Sequence, residues 1–319
     1  MSEKIEKIEK IERIELSRQD AAIAELGDRA HIRAAVRSLY DMQKLRIQNG
    51  NRIAAAFRYK LGLHSSEKEE SNDVANNLLN ELRKELDRIT DGIAQLTKRI
   101  KFESPLITTY GELKLIETYD RQIEAEDQCA KAIVDMLSEF PISQWLAGVR
   151  GCGPLMSGVI VSEINIEKCN SISALWKYCG LDVVQVADAK TGGFKGEGRS
   201  RRQHHLEPKE YTNAQGEVVQ TKGISFNPFL KTKMVGVLGS SFIKAGGPYR
   251  ELYDNYKFRL QNHPAHREKT KAHIHNMAVR YMVKQFLADL WTEWRTLEGL
   301  PVRSNYAEGK LGIKHSKAA

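Results

Sequence analysis

A long stripe of apolar residues places the strongest limit on how this chain can fold. Its members recur every three or four positions, at Val74, Leu78, Leu82, Leu86, Ile89, Ile93, Leu96 and Ile100. That spacing keeps one face of an α-helix apolar over about seven turns and is typical of a coiled coil. Pro105, in the segment FESPL, cannot continue a helix. We therefore expect a long helix that ends shortly before Pro105.

A second helix is predicted after Pro105, because apolar residues recur there at intervals of seven. They are Ile116, Ile123, Ala130 and Leu137, and Ile133 and Val134 widen the stripe. We expect the two helices to pair as an antiparallel hairpin over residues 72–140, within one chain or between two. We expect a homo-oligomer formed through this coiled coil. A plain helical bundle fits the same pattern, and the sequence does not separate these arrangements.

The first 62 residues also have helical periodicity. Isoleucine occurs at every third position from Ile5 to Ile14, and each step of three moves the stripe about 60° around a helix. This segment is therefore expected to be a charged helix without a continuous apolar face on which another helix could pack. Between Ile32 and Phe57 the apolar spacing again indicates helix, with an interruption at QNGN, residues 48–51. Residues 63–73 are predicted to be a polar linker.

Composition narrows the class of protein. No run of 18 apolar residues is present, and charges occupy the positions where a secretory signal would be apolar. The cysteines include no C-x-x-C pair, so neither a zinc site nor a disulfide framework is indicated. They are Cys129, Cys152, Cys169 and Cys179. We expect reduced thiols in a cytoplasmic, nucleoid-associated protein without a membrane partner.

The positive charge of the chain is concentrated in its second half. Residues 1–146 contain 23 Lys and Arg against 26 Asp and Glu, a net charge of −3. Residues 147–319 contain 26 against 15, a net charge of +11. A basic half of this kind is the expected partner of a polyanion, although a solvated basic face is the alternative.

The stretch VRGCGPLMSG, residues 149–158, combines closely spaced glycines with small residues. A short helical turn precedes it, and Pro154 suits the first turn of a following helix. Glycines between two helices argue against a dinucleotide fold or a P-loop. The pattern is typical of a helix-hairpin-helix, whose second helix presents amides to a phosphate; a tight helix crossing is the alternative. The predicted contacts are Arg150, Gly151, Cys152 and Gly153.

Together with residues 163–184, this stretch resembles the C-terminal domain of the insertion-sequence-110 family of transposases. In that domain a helical hairpin is followed by an acidic residue and then by the pattern Tyr-small-Gly-Leu. The corresponding residues are Gly151, Gly153, Glu163, Tyr178, Cys179, Gly180 and Leu181. Three later segments, residues 227–246, 249–260 and 271–294, resemble the family's remaining helices and follow in the family's order. The resemblance covers residues 110–297.

The resemblance implies bridge-RNA-guided transposition with two catalytic parts. One is an N-terminal RuvC-like domain with acidic metal ligands on strands, whereas residues 1–146 show helical periodicity. The other is a serine soon after the Tyr-x-Gly-Leu stretch. Thr191 stands at that position, and Ser200 is the alternative if the register shifts. We therefore expect no cofactor, Mg²⁺ only if the chain is catalytic, and a separate nuclease subunit as a candidate partner.

Basic residues cluster after the Tyr-x-Gly-Leu stretch. Guanidinium groups among glycines suit the phosphates of DNA or RNA, and the ring of Phe194 is suited to stacking on an unpaired base. The predicted contacts are Lys195, Arg199, Arg201 and Arg202, with Lys231 and Lys233 in the next helix. A disordered basic loop is the alternative interpretation of the first four.

Two further patterns follow the basic cluster. Residues 209–223 predict a small β-hairpin with its turn at residues 213–216. The histidine pairs His204/His205 and His273/His275 are not expected to bind a metal, because residues one or two apart point in different directions on a helix.

These observations predict a mostly α-helical protein with four regions. Residues 1–62 form an N-terminal helical region, 72–140 a coiled-coil helical hairpin, 141–300 a helix-hairpin-helix domain with a β-hairpin insertion, and 301–319 a flexible tail. The expected function is that of a transposase-like DNA-binding protein of a mobile element, non-catalytic alone, with structured RNA as a further ligand. The alternatives are an active serine- or threonine-dependent strand-transfer recombinase and a coiled-coil assembly protein.

Overall fold

A computed structural model of the chain describes the backbone of residues 2–62, 70–91, 104–189 and 192–303, with side chains from residue 29 in the first helix and residue 73 in the second. The chain divides into two compact units. Ala34–Asp135 forms one, here called the bundle unit. Met1–Arg33 and Met136–Ala319 form the other, here called the basic unit. This division places the second part of the predicted region 1–62 with residues 72–135.

Most of the described chain is helical. The helices are α1 Ser2–Lys60, α2 Glu70–Thr90, α3 Tyr110–Leu137, α4 Ile142–Gly148, α5 Pro154–Glu163, α6 Ile172–Tyr178, α7 Pro228–Thr232, α8 Gly239–Ala245, α9 Pro248–Asn262 and α10 Lys271–Leu297. A π-helical segment, Lys233–Leu238, joins α7 to α8. The strands are β1 Val183–Ala187, β2 Phe194–Gly198, β3 Glu207–Thr212 and β4 Val218–Gly223. The prediction of a mostly α-helical chain with a small β-hairpin is confirmed.

Three helices build the core of the bundle unit. Its buried side chains include Ile53, Ala54 and Phe57 of α1, Ala75, Leu78, Leu79, Leu82 and Leu86 of α2, and Leu113, Ile116 and Tyr119 of α3. The apolar stripe of α2 is therefore covered by helices of the same chain. Two predicted stripe positions, Val74 and Val134, are each 43% exposed and take no part in this core. The second part of α1 adds a third helix to the predicted two-helix hairpin.

Gly50 shows why the predicted break at residues 48–51 is wrong. α1 continues without interruption to Lys60. A Cβ atom on Gly50 would lie 3.1 Å from Leu79 and 3.1 Å from the ring of Tyr119. The glycine therefore lets α2 and α3 approach α1 closely, and the burial of this interface outweighs the low helix propensity of glycine.

The first turn of α3 is fixed by a reciprocal cap that the sequence TYGE encodes. The amide of Glu112 donates to Thr109 Oγ1 at 3.2 Å, and the amide of Thr109 donates to Glu112 Oε2 at 3.1 Å. This is a capping box, which satisfies amides that have no partner inside the helix. Lys60 Nζ lies 2.9 Å from the same carboxylate and so ties the end of α1 to this turn.

α10 lies at the centre of the basic unit, in contact with α4, α6, α8 and α9. Phe286 meets the rings of Phe242 and Tyr249, with centroids 5.2 and 5.6 Å away. Trp291 is completely buried and its indole N–H donates to the carbonyl of Cys169 at 2.7 Å. Trp291 therefore belongs to the core of the basic unit. These contacts hold α6 and the chain beyond it in place.

Two antiparallel strand pairs project from the helices of the basic unit. In the first, β1 pairs with β2 from Val183 opposite Gly198 to Ala187 opposite Phe194. In the second, β3 pairs with β4 from Glu207 opposite Gly223 to Thr212 opposite Val218. The second is the predicted hairpin. The first was not predicted, because its glycines and charges have the composition of a loop.

Several predictions fall on residues outside the described part of the chain. These are the side chains of the isoleucine repeat in residues 5–14, most of the linker 63–73, the stripe positions Ile93, Leu96 and Ile100, the candidate nucleophile Thr191, and the tail beyond residue 303. Among the helices of the described residues, none is both long and apolar enough to cross a membrane.

Candidate nucleic-acid interface

The Tyr-x-Gly-Leu stretch forms the C-terminal cap of α6. The amide of Leu181 donates to the carbonyl of Trp176 at 2.8 Å, and the amide of Gly180 donates to that of Lys177 at 2.9 Å. These two bonds define a Schellman motif, which requires a left-handed residue after the helix. Gly180 supplies it with a φ of +65°, and a Cβ there would lie 2.7 Å from the ring of Phe226. The motif thus turns the chain sharply into β1.

The acidic residue of the resemblance, Glu163, is buried at the end of α5. Its carboxylate accepts a hydrogen bond from Asn227 Nδ2 at 2.6 Å and lies 3.4 Å from Arg33 Nη2. Its backbone carbonyl accepts from the hydroxyl of Tyr178 at 2.9 Å, and Asn227 also donates to that hydroxyl at 3.1 Å. Glu163 and Tyr178 therefore connect α5, α6 and the start of α7.

The glycine turn between α4 and α5 packs mainly against the protein itself. A Cβ on Gly151 would lie 3.0 Å from the ring of Phe242, and Ser241 donates to the Gly151 carbonyl at 2.6 Å. Cys152 is buried, and burial raises the pKa of its thiol to about 11 despite a contact with Ser157. Of the four predicted contacts in this turn, Arg150 and Gly153 are the exposed ones.

Arg199 is buried in an ion-pair network instead of facing solvent. Its guanidinium binds both carboxylate oxygens of Asp182 at 2.7–2.9 Å and also donates to Glu207 Oε1 at 2.9 Å and Ser225 Oγ at 2.8 Å. Hydrogen bonds with Asp182, more than the opposing effect of burial, raise the pKa of Arg199. The residue therefore holds β2 to the end of α6 and to β3, and the prediction that it contacts nucleic acid is not supported by its position.

The other predicted cations differ in how far they reach solvent. Lys195, Arg201 and Arg202 are exposed, and Lys195 and Arg202 share the carboxylate of Glu197 at 3.2 and 3.1 Å. Arg201 makes no ion pair with any described residue. Phe194, next to Lys195, is 79% exposed. Lys195 and Phe194 of β2, with Arg201 and Arg202 of the turn after it, therefore form an exposed basic surface that includes an aromatic ring.

Lys231 and Lys233, the predicted contacts in the helical segment after β4, are half-buried. The ammonium of Lys231 donates to the carbonyl of Arg199 and lies 5.1 Å from the ring centroid of Phe226. The ammonium of Lys233 lies 5.4 Å from the ring centroid of Phe229. Lys231 is thus placed directly beside the Arg199 network.

Ser200, the alternative nucleophile, is hydrogen-bonded to a buried imidazole. Its Oγ lies 2.8 Å from His205 Nδ1, and its amide donates to the same nitrogen at 3.1 Å. Because an amide can only donate, Nδ1 carries the lone pair and the proton of the neutral ring is on Nε2. Burial, followed by repulsion from His204, lowers the pKa of His205. The imidazole is therefore a neutral base next to the Ser200 hydroxyl.

Glu197, His204 and His205 come together in a way that the sequence argument missed. Nε2 of each histidine lies 3.4 Å from Glu197 Oε2, and the three ligand atoms lie within 4.8 Å of one another. The argument from helical spacing was wrong because these histidines lie in a 3₁₀ turn, Gln203–His205, where the two rings meet edge to face. A metal at this group would need the proton of His205 to move to Nδ1, against the amide of Ser200.

The cations beside Glu197 also affect whether Glu197, His204 and His205 could bind a metal. Lys195 and Arg202 already lie beside the carboxylate that a metal would use. The bond with His204 and then the bond with Lys195 lower the pKa of Glu197. A divalent cation would have to compete with both side chains, and the buried Nε2 of His205 makes no hydrogen bond with any described residue.

Two cations of α10 were missed by sequence reasoning. Arg280 Nη2 donates to the carbonyls of Leu181 and Asp182 at 3.0 and 3.2 Å. Lys284 Nζ lies 4.2 Å above the ring of Trp176. Both are half-buried. The sequence did hold a signal for them. The two cations are four residues apart in the largely apolar segment AVRYMVKQF, so they share one face of a helix that otherwise belongs to the core.

Comparisons with known proteins add no relative. No family model, no curated protein and no solved structure matches the chain.

Replacement of Arg199 tests its structural role. Arg199→Gln leaves Asp182 without its bidentate partner inside the protein, and we expect unfolding to become easier by about 3 kcal/mol. Arg201→Gln removes the same charge from an exposed position and is expected to change stability by less than about 0.5 kcal/mol. Urea unfolding of the full chain measures both. Equal effects of the two substitutions would show that the network does not hold the hairpins.

Proposed function

We propose that the basic unit binds the phosphate backbone of DNA, as in a transposase-like protein of a mobile element. The observation that carries the proposal is the exposed surface of the β1–β2 hairpin and the turn after it. Lys195, Arg201 and Arg202 lie there, and Lys195 and Arg202 share the carboxylate of Glu197. Such an excess of long cationic side chains attracts phosphates without reading a sequence.

The glycine turn offers fewer residues to a phosphate than a full helix-hairpin-helix interface would. Gly151 and Cys152 are packed against the protein, while Arg150 and Gly153 are exposed at the start of α5. The positive end of the helix dipole favours an anion at this end. We therefore place the contact of this turn at Arg150 and Gly153.

Phe194 extends the proposal to unpaired bases. Its ring is 79% exposed and lies next to Lys195 at the start of β2. Aromatic rings beside cations are the common platform for single-stranded nucleic acid. Structured RNA offers the same phosphates together with unpaired bases, so it is the second ligand for the same surface.

The first test removes charge from this surface. The double variant Arg201→Gln/Arg202→Gln is expected to bind duplex DNA about tenfold more weakly at low salt, equally for unrelated sequences, because phosphate contacts carry no sequence information. Fluorescence anisotropy with two random duplexes and one RNA stem-loop measures this. The matched control is Lys44→Gln/Lys131→Gln, which removes the same charge from exposed positions of the bundle unit. Equal losses in the two variants, or no binding by the wild type, would contradict the proposal.

A second candidate function, strand transfer by Ser200, is favoured by the 2.8 Å contact between Ser200 Oγ and His205 Nδ1. In such a step Oγ bonds to phosphorus, its proton passes to Nδ1 as the hydrogen bond from the Ser200 amide breaks, and one ester oxygen of the phosphodiester leaves. Glu197 Oε2, 3.4 Å from Nε2, would stabilise the imidazolium that forms. The pattern is that of a nucleophile and a base with a carboxylate nearby, although Nε2 makes no hydrogen bond with any described residue.

This second candidate predicts a covalent adduct between protein and DNA. With Mg²⁺ and a labelled duplex, Ser200→Ala is expected to abolish the adduct, and His205→Gln to slow its formation about 100-fold through loss of the base. Ser240→Ala, an exposed hydroxyl bonded to a helix carbonyl, is the control. Thr191→Ala tests the other candidate nucleophile. Denaturing gels report the adduct, and an adduct that persists in Ser200→Ala would exclude Ser200 as the nucleophile.

A further inference from the structure

Three half-buried cations meet where α6 ends and β1 begins. Lys231 donates to the carbonyl of Arg199, and Arg280 donates to the carbonyls of Leu181 and Asp182. The ammonium of Lys284 lies over the ring of Trp176 and makes no hydrogen bond with any described residue. The contacts of all three are therefore with neutral carbonyls and a ring face.

The carboxylates of this region are already engaged. Asp182 holds Arg199 through both oxygens, and Glu207 Oε1 lies 2.9 Å from Arg199 and 3.1 Å from Lys177. The network thus contains five cations and two carboxylates, an excess of three positive charges. Arg199 and Lys177 account for the two carboxylates, so the excess lies on the other three cations.

Burial makes this excess costly. Burial lowers the pKa of Lys231 and of Lys284, and the charge of Arg280 lowers both further, against a smaller opposing effect of Asp182. Cations withdrawn from water without a carboxylate partner lose hydration that neutral carbonyls replace only in part. An anion bound between them would restore the lost interaction.

We propose that Lys231, Arg280 and Lys284 form a pocket that binds one phosphate group of the nucleic-acid backbone. The pocket deepens the proposed function and depends on it for the identity of the ligand. Phosphate suits the donors, because guanidinium and ammonium groups are the usual partners of its oxygens. The hairpin and the pocket are joined through Arg199, whose backbone carbonyl binds Lys231.

The guanidinium of Arg280 packs against the backbone of β2 and still has donors to spare. A Cβ on Gly198, the last residue of β2, would lie 3.1 Å from Arg280 Nη1. The missing side chain lets the guanidinium lie directly against the strand. Both described hydrogen bonds of Arg280 to carbonyls come from Nη2, so Nη1 and Nε retain donors for an anion.

The test combines a small anion with nucleic acid. Thermal unfolding of the full chain is followed with inorganic phosphate and with chloride at matched ionic strength, for the wild type and for Lys231→Gln/Lys284→Gln. We expect phosphate to raise the melting temperature of the wild type more than chloride does, since a ligand of the native state stabilises it. The variant is expected to lose this difference and to bind duplex DNA about tenfold more weakly, which corresponds to about 1.4 kcal/mol.

A structural role for the two lysines predicts a different outcome. If they only supported the fold, the variant without ligand would melt at a lower temperature; the pocket predicts an unchanged or higher one, because unpaired charges are removed. Lys44→Gln/Lys131→Gln is the charge control. An equal response of wild type and variant to phosphate overturns the pocket. DNA binding that the variant retains in full overturns the pocket alone, whereas a phosphate response without any DNA binding overturns the proposed function alone.

Discussion

The bidentate pair between Arg199 and Asp182 is the interaction on which the arrangement of the basic unit depends. It fastens β2 to the residue that follows the cap of α6, and Glu207 extends it to β3. The same pair determines which neighbouring cations lack a carboxylate partner. Because it engages Asp182 inside the protein, the neighbouring cations on α7 and α10 face one another without a carboxylate of their own. Fold and surface electrostatics thus have one common origin.

The residues that carry the resemblance to transposases have structural roles in this chain. Gly180 is the left-handed residue of a helix cap, and the buried Glu163 and half-buried Tyr178 connect three helices. These residues fix the positions of α5, α6 and β1, and none of them is an exposed cation that could contact a phosphate. The groups suited to phosphate are those that reach solvent, namely Arg150, Lys195, Arg201 and Arg202, together with the half-buried pocket.

Sequence patterns were enough to predict α2, α3 and the β3–β4 hairpin, because each helix has a one-sided apolar pattern and the hairpin has a clear turn. They failed at Gly50, where packing against Tyr119 overrides helix propensity. They failed again at His204 and His205, where a 3₁₀ turn brings together side chains that an α-helix would separate. The burial of Arg199 and the hydrogen bonds of Arg280 to Leu181 and Asp182 depend on tertiary contacts, which local spacing does not contain.

The central claim is that excess cations of the basic unit bind nucleic-acid phosphates. The salt dependence of binding measures the number of such contacts, since each phosphate neutralised on duplex DNA contributes about −0.9 to the slope of log K against log salt concentration. For the wild-type chain on a random duplex, one phosphate in the pocket and one at each of Lys195, Arg201 and Arg202 make four contacts and predict a slope of about −3.6. A slope near zero would contradict the account.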